Sequence, residues 1–122
     1  MTVGDFAFNF IDDLSAIDTH DAFVVRIGKE ITSESQLLNY LSESFKFPGY
    51  FGFNWNALYD CLCDFHWISS YKIILIHENL PDISSDNLKI YLKILQDSVR
   101  SWHESDIHIF EIFFKSNILF DM

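Results

Sequence analysis

The sequence predicts an α/β domain in which a three-stranded parallel sheet is packed with helices. Three segments rich in β-branched and aromatic residues, 22–27, 71–77 and 107–114, are separated by segments whose apolar residues recur at helical spacing. The middle segment is a nearly continuous apolar run, which is typical of a central strand buried on both faces. Because helices separate the strands, we expect the strands to run parallel.

The first strand and helix have clear ends. Residues 22–27 are rich in β-branched and aromatic side chains, and the strand that they predict ends at Gly28. A helix is then predicted over residues 34–45, and either Thr32 or Ser33 can cap it through its hydroxyl group. The apolar residues of this helix keep helical spacing: Leu37, Leu38, Leu41 and Phe45.

A second helix follows a Pro/Gly turn and an aromatic loop. Asn54 can cap it, because its side-chain oxygen can accept a free N–H from the first turn. One apolar stripe is predicted to face the core: Trp55, Leu58, Leu62 and Phe65, with Cys61 beside it. The other side carries Asn56, Tyr59, Asp60, Cys63 and Asp64. No Lys or Arg occurs between Phe47 and Tyr71, so this side suits a cationic partner.

The last helix is predicted to open at the polar cluster of residues 84–86 and to end near Trp102. Its apolar side holds Leu88, Tyr91, Leu92, Leu95 and Val99. Residues 107–114 return as the third strand, and residues 117–122 are expected to pack as a tail.

The chain divides into an N-terminal extension, residues 1–21, and a single domain, residues 22–122. In the extension Phe6, Phe8 and Phe10 alternate with Ala7 and Asn9, a period-2 pattern that could add a strand at a sheet edge. The acids that follow, Asp12, Asp13, Asp18 and Asp21, predict a solvated loop.

Composition limits the classes of function. The 122 residues carry a net charge of −10, from 18 acids against 8 bases, which argues against direct nucleic-acid binding. No apolar run is long enough to span a membrane, and the first 13 residues lack the basic start of a signal peptide, so we expect a soluble cytoplasmic protein. The acidity either keeps the protein soluble or attracts a basic partner.

Catalysis and metal binding have little support in the sequence. Cys61 and Cys63 lie two residues apart with no second ligand pair at zinc-binding spacing, so we expect no metal and no cofactor. Asp60 and Asp64 could form a carboxylate pair for acid–base chemistry or for a divalent ion, but they suit a surface patch equally well. The five histidines occur in no catalytic motif, so we predict that the protein is not an enzyme.

Residues 48–62 resemble the signature of the barstar family of intracellular ribonuclease inhibitors. The matching positions are Pro48, Tyr50, Phe51, Gly52, Asn54, Ala57, Leu58, Tyr59, Asp60, Cys61 and Leu62. The resemblance covers residues 22–66, extends more loosely over 71–114, and does not reach the first 20 residues. It implies a barstar-like sheet of three parallel strands, surrounded by helices.

The resemblance also implies a function and a binding surface. Asp60 aligns with the aspartate that enters the phosphate site of the nuclease, and Tyr50 and Tyr59 align with aromatic contacts of such inhibitors. Gly52 would let the loop approach a partner closely and tolerates a positive φ, while Asn54 is first a helix cap and then a contact. The partner implied is a basic ribonuclease toxin, held by a monomer in a 1:1 complex without nucleic acid or membrane.

Two positions depart from the family pattern. Asn56 stands where the family commonly has a second acid, and Asp64 replaces a glycine of the best-known members and could restore that charge. Val99 lies near the place of a further acidic contact, with Asp97 close by. The target therefore need not be barnase itself, and a barstar-like interaction module with a non-nuclease partner is the alternative.

Overall fold

The computed structural model describes residues 7–28, 30–103 and 106–118, and these contain four strands and three α-helices. The strands are β1 (Phe8–Ile11), β2 (Ala22–Ile27), β3 (Lys72–His77) and β4 (Ile109–Lys115). The helices are α1 (Glu34–Phe45), α2 (Trp55–Leu62) and α3 (Ser85–Ser101), and a short 3-10 turn spans Leu14–Ala16.

The four strands form one sheet in the order β1-β4-β3-β2, and every neighbouring pair is parallel. The predicted α/β fold with three parallel strands is confirmed, and β3 lies inside the sheet with five consecutive buried residues. The predicted N-terminal edge strand is confirmed as β1, in which Phe8 is opposite Ile112. Phe6, which belonged to the same predicted alternation, lies outside the described residues.

The two faces of the sheet are covered differently. The helices pack on one face over a large apolar cluster that includes Ile73, Leu75, Phe110, Ile112 and Phe114. On the other face Ile74 and Ile76 are buried mainly by Ile17 and Leu14, from the segment that connects β1 to β2. The acids of that segment, Asp12, Asp13, Asp18 and Asp21, are exposed as predicted.

Helix α1 has the predicted bounds because its cap is local. The Ser33 side chain accepts a hydrogen bond from the Gln36 backbone N–H at 3.1 Å. The Gln36 side chain in turn accepts a hydrogen bond from the Thr32 backbone N–H at 2.8 Å. Ser33 is therefore the cap residue, and the two reciprocal bonds resemble a capping box.

Helix α2 is shorter than its apolar stripe predicts. It ends at Leu62, and the prediction that Phe65 continues its stripe is wrong. The backbone N–H groups of Asp64 and Phe65 both donate to the Cys61 carbonyl, and Phe65 takes a left-handed φ of 50°. The turn still buries the Phe65 ring completely, against Trp102 and Phe110, so its place in the core is retained.

Candidate protein-binding surface

A tight turn at residues 52–54 orients the start of α2. The Asn54 side-chain oxygen accepts a hydrogen bond from the Ala57 backbone N–H at 2.8 Å, and its amide nitrogen donates to the Gly52 carbonyl at 3.4 Å. A Cβ atom built on Gly52 would lie 3.3 Å from that amide, so Gly52 leaves room for the cap. Gly52 does not use a positive φ; the left-handed residue of this loop is Phe53, at 53°. Both Gly52 and Asn54 therefore shape the surface.

The solvent side of α2 presents Asn56, Tyr59 and Asp60, while Leu58, Cys61 and Leu62 are buried beneath them. Within the part of the chain that the structure describes, the Asp60 carboxylate makes no hydrogen bond and no ion pair. An exposed carboxylate without an internal partner can accept hydrogen bonds from another molecule without breaking any of its own.

Asp64 lies one turn further on, after α2 has ended, and its carboxylate is already engaged. One oxygen lies 2.8 Å from Nδ1 of His66, and the other accepts from the His66 backbone N–H at 3.3 Å. Both side chains remain largely exposed, at 43% for Asp64 and 58% for His66. Asp64 can therefore lend charge to the surface, but a partner must compete with His66 for its oxygens.

Two tyrosines flank these acids. Tyr50 is 68% exposed, and slight desolvation followed by the charges of Asp64 and Cys61 raises the pKa of its hydroxyl. A hydrogen bond with the Cys63 thiol is the main cause that raises the pKa of Tyr59, with smaller effects from the charge of Cys63, desolvation, Asp97 and Asp60. The charge of Asp64 therefore acts on the Tyr50 hydroxyl, and the charge of Asp60 acts on the hydroxyl of Tyr59, its neighbour in the chain.

Helix α3 adds an acid to this surface. Asp97 is close enough to Tyr59 for its charge to affect that hydroxyl, and it forms an ion pair with Lys93 at 3.0 Å. Val99, the residue near which a further acid is expected, packs against the core. The sequence placed Asp97 nearby, but only the packing of α2 on α3 shows that it borders Tyr59.

The two cysteines differ in exposure. Cys61 is 3% exposed, and burial, followed by the charges of Asp64 and Asp60, raises the pKa of its thiol to about 11. Cys63 is half-buried, and neither Cys61 nor Cys63 forms a disulfide in the described part of the chain. No cluster of three or more His, Cys, Asp or Glu side chains suited to a metal occurs among the described residues.

Two histidines are buried, and their contacts lie in the interior. His77 is fully buried, stacks on Phe114 and has its Nε2 atom 2.8 Å from the Tyr91 hydroxyl. Its burial lowers the pKa of the ring to about 3, against a small opposite effect of the Phe113 backbone, so the ring is neutral. His108 is also buried, with its ring nitrogens 2.8 Å and 3.0 Å from the carbonyls of Ser70 and Phe65.

Two grooves mark the surface elsewhere. The larger, of about 340 Å³, lies between the start of β1, the end of α3 and β4. The smaller, of about 260 Å³, lies between α1 and Phe53. Asp60 lines neither groove, so the candidate surface is an exposed helix face and loop. Among the described residues no helix is long and apolar enough to cross a membrane.

The chain also matches a known protein family. The family model described as Barstar (barnase inhibitor) matches residues 22–115. The match contains β2, β3, β4, the three α-helices and all of the candidate surface residues, and it leaves out β1 and the 3-10 turn. No curated protein matches the chain.

Proposed function

The chain belongs to the barstar (barnase inhibitor) family, and from this premise we propose that it is an immunity-type inhibitor that occludes the active site of a basic ribonuclease toxin. The observation that carries the proposal is the exposed Asp60 carboxylate, which has no hydrogen bond and no ion pair among the described residues. The complex is expected to be 1:1, and its partner is a protein, so nucleic acid and membrane take no direct part.

The proposed mechanism is substitution of a carboxylate for a phosphate. A ribonuclease holds its RNA with Arg, Lys and His side chains, and an arginine fork binds a carboxylate through the same paired N–H donors that bind a phosphate. Asp60 would fill the phosphate site and so exclude RNA. Because Asp60 has no internal partner in the described residues, binding would break no such contact and would cost Asp60 its hydration and its side-chain freedom.

The tyrosines would hold the partner over a wider area. Tyr50 and Tyr59 are exposed aromatic side chains on either side of the acids, and aromatic residues with a polar end are enriched among interface hot spots. The net charge of −10 would speed the approach of a cationic nuclease. Asn56 and Asp64 would contribute at the edges, and Gly52 and Asn54 mainly by shaping the loop.

This role requires no catalytic residue, cofactor or metal from the chain. The proposed site of action is the cytoplasm, where the free thiols of Cys61 and Cys63 would stay reduced. The chain would act on its target by occupying it.

The test is inhibition of RNA cleavage. Purified chain is titrated into a panel of basic ribonucleases that includes barnase, and Asp60→Ala is compared with the control Asp86→Ala, an exposed acid in the first turn of α3. We expect stoichiometric loss of cleavage of at least one ribonuclease, strongly weakened by Asp60→Ala and unchanged by Asp86→Ala. Full activity of the whole panel would contradict the proposal.

The alternative function is an interaction module with a non-nuclease partner. The residues that favour it are Asn56 and Asp64. Asn56 is neutral, and Asp64 is tied to His66, so the surface carries less free charge than an inhibitor with two free acids. Capture from an extract of the source cell separates the two functions. A non-nuclease partner retained equally by the unmutated chain and by Asp60→Ala would favour the module.

A further inference from the structure

Phe53 has a backbone conformation that its side chain does not favour. Four non-glycine residues in the described ranges have a positive φ: Asp21, Lys46, Phe53 and Phe65. Lys46 ends α1 in the left-handed conformation common at helix ends, Phe65 is fully buried, and aspartate tolerates this region. None of these explanations applies to Phe53. It is a bulky residue, it precedes a helix rather than ending one, and its side chain is 51% exposed. Bulky residues held in this region tend to occur at functional sites.

The strained loop holds the Phe53 ring above α1. Its ring centroid lies 4.8 Å from that of Phe51, which is buried and fixes the ring from below. Phe53 forms one wall of the groove of about 260 Å³, and the first half of α1 forms the other. The α1 residues that line it are Glu34, Ser35, Leu38 and Asn39.

The chemistry of this groove suits a long basic side chain. The Phe53 ring, which is 51% exposed, offers an apolar surface to the methylene groups of a Lys or Arg, and the face of an aromatic ring attracts a cation. The Glu34 carboxylate, in the first turn of α1, supplies a negative charge at the same groove. A second copy of this acidic chain would bring like charge to the same place.

Phe53 adjoins the candidate surface in the chain. It lies between Gly52 and the cap residue Asn54, both of which belong to that surface. We infer that Phe53 and the first half of α1 form a second contact region, which receives a Lys or Arg side chain from the same ribonuclease. This inference rests on the proposed function and adds a contact outside the acidic helix face.

Matched substitutions test the region. The dissociation constant is measured for the ribonuclease most strongly inhibited in the panel, with Phe53→Ala and with the control Tyr71→Ala, an aromatic of equal exposure (52%) that lines neither groove. We expect Phe53→Ala to weaken binding about tenfold and Tyr71→Ala to change it less than about twofold. Equal effects of the two substitutions would overturn the inference.

The charge is tested in the same way. Glu34→Gln is compared with Asp86→Asn, which removes the first-turn acid of α3. We expect only Glu34→Gln to weaken binding and to reduce its salt dependence. Combined with Phe53→Ala it should cost less than the sum of the two, because one partner side chain contacts both residues. Additive effects would overturn the idea of a single occupant.

A purely structural role for Phe53 gives a different result. Asparagine tolerates the left-handed region, so Phe53→Asn should leave the melting temperature unchanged or raise it while binding weakens. A lower melting temperature with unchanged affinity would show that the ring serves only the fold. Self-association of the chain that Phe53→Ala abolishes would show that a second copy occupies the groove.

Failure of the inference differs from failure of the proposed function. If Asp60→Ala abolishes inhibition while Phe53→Ala and Glu34→Gln leave the affinity unchanged, the function stands and the second contact region is refuted. If no ribonuclease in the panel binds, the proposed function fails and the inference falls with it.

Discussion

The buried side and the exposed side of α2 differ in role, although the helix has only eight residues. Leu58, Cys61 and Leu62 are at most 3% exposed and belong to the main core, whereas Asp60 faces solvent without an internal partner among the described residues. Successive helical residues are about 100° apart, so Leu58 and Leu62, each two positions from Asp60, point to nearly the opposite side of the helix. Substitutions at nearby positions of α2 can therefore change stability and partner binding separately.

The exposed side nevertheless depends on the buried side. A helix of eight residues is unstable on its own, so α2 relies on its cap and on packing. Asn54 binds its first turn, and the Trp102 ring nitrogen donates to the Leu62 carbonyl at 3.0 Å at its end. The ring centroid of Trp55 lies 6.2 Å from that of Tyr91, and the Tyr91 hydroxyl forms a hydrogen bond with His77. These contacts connect α2 to the centre of the sheet.

The largest expected effect is on the buried side. Leu62→Ala should lower the free energy of unfolding by about 2–5 kcal/mol, because it removes a fully buried side chain and leaves a cavity. The control Asn56→Ala should change it by less than about 0.5 kcal/mol. Urea denaturation measures both, and similar values for the two would show that the sides of α2 are not distinct.

The reverse pattern is expected for binding. Asp60→Ala should cost about 2–5 kcal/mol of binding free energy, since it unpairs a desolvated charge of the partner, and should leave the unfolding free energy unchanged within about 0.5 kcal/mol. Calorimetric titration into the inhibited ribonuclease and urea denaturation give the two values. A loss of stability equal to the loss of affinity would contradict the separation.

The burial of His77 should make the stability of the fold depend on pH. Burial lowers the pKa of His77 to about 3 from an ordinary 6.5, so the unfolded chain binds a proton that the folded chain refuses between these values. Stability is then full above pH 6.5 and falls by about 1.4 kcal/mol for each pH unit below it, or about 2 kcal/mol at pH 5. Urea denaturation from pH 7 to 5 measures the slope.

His77→Phe is the control for this slope, because it removes the titrating group and keeps an aromatic ring beside Phe114. The other histidines are present in both proteins, so the difference in slope belongs to His77. An unchanged slope in His77→Phe would show that acid acts through other groups.

The smallest expected effect joins the two sides. Asn54→Ala removes the hydrogen bond to the Ala57 N–H and should lower the unfolding free energy by about 1 kcal/mol. Because the cap also aims the start of α2, affinity for the ribonuclease should fall together with stability. Asn54→Ser, which can still cap, should recover most of both; recovery of stability alone would make Asn54 a direct contact.

Much of the fold could be predicted because it depends on local patterns. The bounds of α1 follow from the Ser33 cap and the spacing of its leucines, and the apolar run of β3 marks a strand buried on both faces. The end of α2 could not be predicted in this way. Phe65 fits the helical spacing, but the turn that carries it into the core depends on distant rings such as Trp102 and Phe110.

The α/β class, the helix caps and the exposure of Asp60 and Tyr59 on α2 could be predicted from local sequence, since neighbouring residues govern these features. The pairing of Asp64 with His66, the effect of the Asp97 charge on Tyr59 and the groove between Phe53 and α1 appear only in the folded structure. The physical reason is that charge pairing, burial and backbone strain depend on which elements meet in space. A local sequence pattern does not show which distant elements come into contact.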